Sequence, residues 1–103
     1  MIKMILYREI ENSFKRIEEQ FSKREWERFL ACDYENLCLY HYTLGGWIRK
    51  EFLEQGSKLR ELFIQAGIPE TDDMSMIIIE LFYLYAKTER TNIKRRKGED
   101  MLK

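Results

Sequence analysis

Residues 74–86 read Met-Ser-Met-Ile-Ile-Ile-Glu-Leu-Phe-Tyr-Leu-Tyr-Ala. Only Ser75 and Glu80 interrupt this run, so a helix built from it is apolar on nearly every side and has to be enclosed by other elements. Its start is marked as well. Thr71 or Asp72 starts the helix, and Asp72 and Asp73 put two carboxylates in the first turn, where the positive end of the helix dipole favours them. Just upstream, Gly67-Ile68-Pro69 is a stop for the preceding helix: glycine takes the left-handed position and proline cannot continue the turn. The stretch predicts a central helix over 72–90 with shorter helices arranged around it.

Those shorter helices can be traced backwards along the chain. Leu59, Leu62, Phe63 and Ala66 form one apolar face behind a Ser57 cap, giving a helix over 58–66. Leu37, His41, Leu44 and Ile48 recur at four-three-four spacing after Asp33, which predicts one helix over 34–53. Gly45 and Gly46 lie inside it, at a cost of roughly 1 kcal/mol each against alanine. Because Trp47 to Leu53 continues in helical phase, close approach of a second helix explains the glycines better than a break. Ser22-Lys23-Arg24-Glu25 has the form of a capping box, and Phe21 and Trp26 hold the two staple positions around it, so a helix over 23–31 restarts there. Ile2, Leu6, Ile10, Phe14, Ile17 and Phe21 give the first helix, over 2–20.

Composition agrees with an all-α fold. The 103-residue chain has no valine, four threonines and one proline, and is rich in glutamate, leucine, lysine and arginine. Its length bounds it to a single compact domain, expected over residues 1–90, with 45 % hydrophobic residues to build a core. Residues 91–103 are expected to be a charged, flexible tail. From Lys87 onward the chain carries seven positive and three negative charges; with a net charge of zero overall, the body before it carries minus four. No stretch approaches the roughly 18 uncharged apolar residues a membrane span needs, and Arg8 and Glu9 cut the opening apolar run too early for a secretory signal, so a cytoplasmic location and no membrane partner are expected. Cys32 and Cys38 have no zinc-type spacing and are expected as reduced core thiols; no metal or cofactor is implied.

Two blocks stand out: Tyr40-His41-Tyr42-Thr43-Leu44-Gly45-Gly46-Trp47-Ile48-Arg49-Lys50, and Gly67 to Ile78 with Asp72-Asp73-Met74-Ser75 at its centre. In this order and separation they resemble a family of small bacterial helical domains of unknown function, whose pattern reads approximately YHxGLGxWIRN, then GIxHPDDMSxIIL. Thr43, Lys50 and Glu70-Thr71 depart from it. The resemblance covers residues 35–86 and implies a shared helical fold and a shared surface that includes His41, Trp47, Arg49, Asp72, Asp73 and Ser75.

As chemistry, these residues are modest. A lone histidine, His41, has no second histidine or cysteine cluster for a metal, and no serine sits in a nucleophile-elbow context, so no catalytic residue is assigned. Arg49 with Asp72 or Asp73 reads as an ion pair between helices, with Gly45, Gly46, His41 and Ser75 as packing or motif positions. Lys94-Arg95-Arg96-Lys97 is the one basic cluster; it lacks stacking aromatics, which leaves nucleic acid a secondary alternative. Tyr34, Tyr40, Tyr42, Trp47, Tyr83 and Tyr85 are more amphipathic aromatics than such a core needs, and protein interfaces favour them. The expectation is a non-enzymatic protein-binding domain of inhibitor or immunity type, bacterial or phage-borne, binding another protein or itself as a homodimer. Tyr40, Trp47, Arg49, Tyr83 and Tyr85 are its candidate contact residues. The further alternative is a small hydrolase using His41, Asp72 and Asp73.

Overall fold

The computed structural model describes the backbone of residues 2–102 and the side chains of residues 2–88. Within them lie five α-helices, α1 (Ile2–Glu18), α2 (Lys23–Ala31), α3 (Leu44–Phe52), α4 (Lys58–Gln65) and α5 (Thr71–Leu102), with a 3₁₀ segment, Tyr34–Tyr40, between α2 and α3. No strand occurs among the described residues. The fold is all-α, as the composition requires. The expected tail over 91–103, with its basic run Lys94 to Lys97, falls on residues whose side chains lie outside the described ones.

Helix α5 packs against every other element, which is what its unbroken apolar surface demands. Met74, Ile78, Ile79 and Phe82 have no exposed surface, and Ala86 has almost none. The rings of Phe14, Phe21, Trp26 and Phe29 close around Phe82, with centroids 5.6 to 6.1 Å from it. Across the core, α1 lies on α4. At the rim, Lys58 pairs with Glu9 at 3.1 Å and Arg16 with Glu51; these exposed pairs contribute little.

The helix ends follow their local signals. At α2 the Glu25 amide donates to the Ser22 hydroxyl at 3.2 Å and the Ser22 amide donates to the Glu25 carboxylate at 3.0 Å, while Phe21 and Trp26 meet at 5.4 Å. Ser22 accepts the first amide and returns its own, and this holds the Glu25 carboxyl below its ordinary value of 4.5. A lowered carboxyl stabilises the fold above that value, and the contribution is lost as pH falls through the folded one. Glu25→Gln retains an N3 side chain able to cap, so the thermal midpoints of wild type and Glu25→Gln should differ at neutral pH and converge as the solution is acidified below about 4.5. A gap that widens in acid would refute this reading. At the other end of the core, Gly67 takes a φ of +88°, its amide donates to Ile64 and that of Ile68 to Phe63, closing α4 with a Schellman turn.

One expected element is absent. Residues 34–53 are not a single helix: the 3₁₀ segment ends at Tyr40, residues 41–43 turn, and α3 begins at Leu44. Neither Asp33 nor Thr43 makes a side-chain cap bond. Tyr34, Leu37 and Tyr40 repeat at intervals of three, the period of a 3₁₀ turn, and this placed Leu37 in the core without α-helical continuity. The thiols also differ from expectation. Cys38 is exposed, because it falls on the outward side of that turn, and Cys32 is half-buried, where desolvation pushes its thiol up.

Candidate functional site

Short as it is, α3 serves three neighbours at once. Ile48 is fully buried in the core. Gly45 and Arg49, one turn apart, face the start of α5, and Leu44 and Trp47 look the other way, toward the turn between α1 and α2.

On the α5 side the two sequence blocks meet. Arg49 Nη1 donates to the Ser75 hydroxyl at 2.8 Å and Nη2 donates to the His41 carbonyl at 3.1 Å, while Asp72 Oδ1 lies 3.8 Å from Nη1. Ser75, fully buried, donates in turn to the Asp72 carbonyl at 3.0 Å. Both hydrogen-bonding roles of that hydroxyl are therefore in use. His41 Nε2 stands 4.0 Å from Asp72 Oδ1, too far for a hydrogen bond. The expected ion pair thus exists with Asp72, not with exposed Asp73, but the hydrogen bonds to Ser75 and to the His41 backbone make it an anchor for the turn at 41–43.

Gly45 permits that anchor. A Cβ there would sit 3.1 Å from Arg49 Nη1, 3.4 Å from the Tyr40 carbonyl and 3.6 Å from Ile79. Gly46, expected to share the close approach, has only Arg49 Nη2 near, at 3.8 Å, because it lies about 100° further round the helix. Gly46→Ala should accordingly stabilise the protein by about 0.5 to 1 kcal/mol. Gly45→Leu should destabilise it by about 1 to 3 kcal/mol. Urea unfolding checks both, and equal effects at the two positions would refute the assignment.

On the opposite side of α3 there is an open cleft of about 260 Å³, lined by Gln20, Phe21, Glu25, Tyr40, Thr43, Leu44 and Trp47. Tyr40 and Trp47 are both half-buried. Tyr40 rests edge-on against Phe29 at 5.1 Å and Trp47 against Phe52 at 5.6 Å, so packing holds both rings from behind. Burial pushes the Tyr40 hydroxyl up, keeping it a neutral donor. Next to Tyr40 and Thr43 in the chain, Leu39 and Tyr42 are 74 % and 85 % exposed, the Tyr42 ring standing edge-on to His41 at 4.8 Å.

The remaining sequence candidates fall elsewhere. Tyr83 is no surface residue: at 6 % exposure it packs on Phe29, and its hydroxyl donates to the Cys32 carbonyl at 2.6 Å, tying the end of α2 to α5. Tyr85 is partly exposed, with its ring 4.9 Å from Phe14 on the α1 side. Gln20, Phe21 and Glu25 carry no sequence pattern that marks them as site residues. The capping box and staple that fix the chain at that turn were the only signal for their position.

No group of histidine, cysteine and carboxylate side chains suited to a metal occurs among the described residues, and no helix there is long and apolar enough to cross a membrane. A family model described as a domain of unknown function, DUF6794, matches residues 8–85, a span that includes both sequence blocks. No curated protein and no solved structure matches the chain.

Proposed function

We propose that this chain, which belongs to the DUF6794 family, is a non-enzymatic protein-binding module of inhibitor or immunity type, and that it holds its partner at the Tyr40–Trp47 cleft. The supporting observation is the cleft itself: two amphipathic rings, braced from behind and open in front, on a short segment that also exposes Leu39 and Tyr42. Tyrosine and tryptophan in such a setting contribute most per residue to protein interfaces, since they cover large areas at small entropic cost. A hydrolase of the serine type would need an accessible hydroxyl beside His41; the Ser75 hydroxyl there is enclosed and committed to Arg49 and the Asp72 carbonyl.

Selection of a displayed peptide library on the immobilised protein tests the proposal. Thr43 is exposed and makes no capping bond, so Thr43→Arg obstructs the cleft without disturbing the core. Enriched peptides are expected to lose binding to Thr43→Arg and to share one anchoring side chain. Enrichment that ignores this substitution, or no enrichment, overturns the assignment of the cleft.

A further inference from the structure

We propose that the side chain received by this cleft is cationic, a lysine or arginine presented by a partner protein. The inference rests on the protein-binding reading and specifies its ligand. Three of the seven lining residues, Phe21, Tyr40 and Trp47, are aromatic, and the one charged lining residue is Glu25. Aromatic rings attract a cation through the negative potential of their faces, most strongly where water is partly excluded. The Glu25 carboxylate, whose Oε1 accepts the Ser22 amide, is held ionised by its hydrogen bonds to Ser22. At about 260 Å³ the space lies below the roughly 300 to 1,000 Å³ of drug-sized sites and suits a single side chain. Leu44 and Thr43 in the lining bring apolar atoms for an alkyl stem, and Gln20 brings an amide acceptor for its head. A purely apolar anchor would cover Glu25 and Gln20 without giving them a partner. Arg28, one turn after Glu25, is the nearby cation acting on both Glu25 and Tyr40, so it competes with the ligand from outside the lining.

The test is a titration followed by NMR at the Trp47 indole N–H, using N-acetyl-lysine amide, N-acetyl-arginine amide, neutral N-acetyl-norleucine amide and choline at matched ionic strength. The cationic amides are expected to give saturable shifts and to bind roughly two- to thirtyfold more tightly than the norleucine amide. Glu25→Gln keeps the capping geometry and should weaken them several-fold, whereas Arg28→Gln should tighten them. Norleucine amide binding as well as the cations, or cation binding indifferent to Glu25→Gln, overturns the inference. So does the absence of any saturable shift. Choline binding far more tightly than either amide would make this a small-molecule ammonium site and also overturn it. If displayed peptides still depend on Thr43 while norleucine prevails here, the protein-binding reading stands and the cationic ligand alone falls.

Discussion

Phe82→Ala is expected to cost about 3 to 5 kcal/mol, a large part of the roughly 5 to 15 kcal/mol by which domains of this kind are stable. Phe82 has no exposed surface, and five aromatic rings, those of Phe14, Phe21, Trp26, Phe29 and Tyr85, lie with centroids within 6.4 Å of it. Truncation therefore removes the hydrophobic transfer energy of a whole ring and leaves a cavity that rigid neighbours cannot fill by rotating. Phe82→Leu, which keeps most of the volume, should lose about half as much or less. Urea unfolding measured by far-ultraviolet circular dichroism provides the check. A cost below about 1 kcal/mol for the alanine variant would mean that α5 is not the element that organises the core.

Arg49→Ala should destabilise by about 2 to 3 kcal/mol, with most of the loss coming from hydrogen bonds and little from charge pairing. The side chain is 22 % exposed and joins three places: the start of α5 through Ser75, the turn at 41–43 through the His41 carbonyl, and Asp72. The Asp72 side chain is 70 % exposed, so its attraction is screened, and Asp72→Asn should cost under about 1 kcal/mol. Arg49→Lys should recover only part of the loss, since one ammonium cannot span the acceptors that a planar fork reaches together. The comparison is made by thermal unfolding of the three variants at low and high salt. Equal costs for Arg49→Ala and Asp72→Asn, both abolished by salt, would show an ordinary ion pair instead of an anchor.

What was legible in the sequence was whatever is decided within a few residues. Ser22 and Glu25, Phe21 and Trp26, Ser57, and Gly67 with Ile68 each settle a helix end through bonds to near neighbours, and each occurs as its local pattern requires. The apolar run from Met74 to Ala86 was equally plain, because no arrangement exposes it cheaply. Residues 34–53 are ambiguous in sequence for a physical reason. Spacings of three and four between Leu37, His41, Leu44 and Ile48 fit a continuous α-helix as well as a 3₁₀ turn followed by a new helix. What distinguishes them is the pull of Arg49 on the His41 carbonyl, a bond to a residue eight positions on. Tyr40 and Trp47 could be named from their chemistry. Their cleft could not, since Gln20, Phe21 and Glu25 complete it from a different turn of the chain. Tyr83 shows the opposite difficulty: its hydroxyl suggested a surface residue, and the Cys32 carbonyl allowed it to be buried.

The order of elements along the chain has a consequence for biosynthesis. The helix on which the others depend comes last, so during translation α1 to α4 emerge with their apolar faces turned toward a partner that has not yet been made. Phe14, Phe21 and Phe29 have no Phe82 to enclose, and the 41–43 turn has no Ser75 to secure Arg49. A nascent chain stalled so that Pro69 has just left the ribosome should be sensitive to protease and bound by chaperones that recognise exposed apolar segments; one stalled with Ala86 well clear of the ribosome should become resistant in a single step.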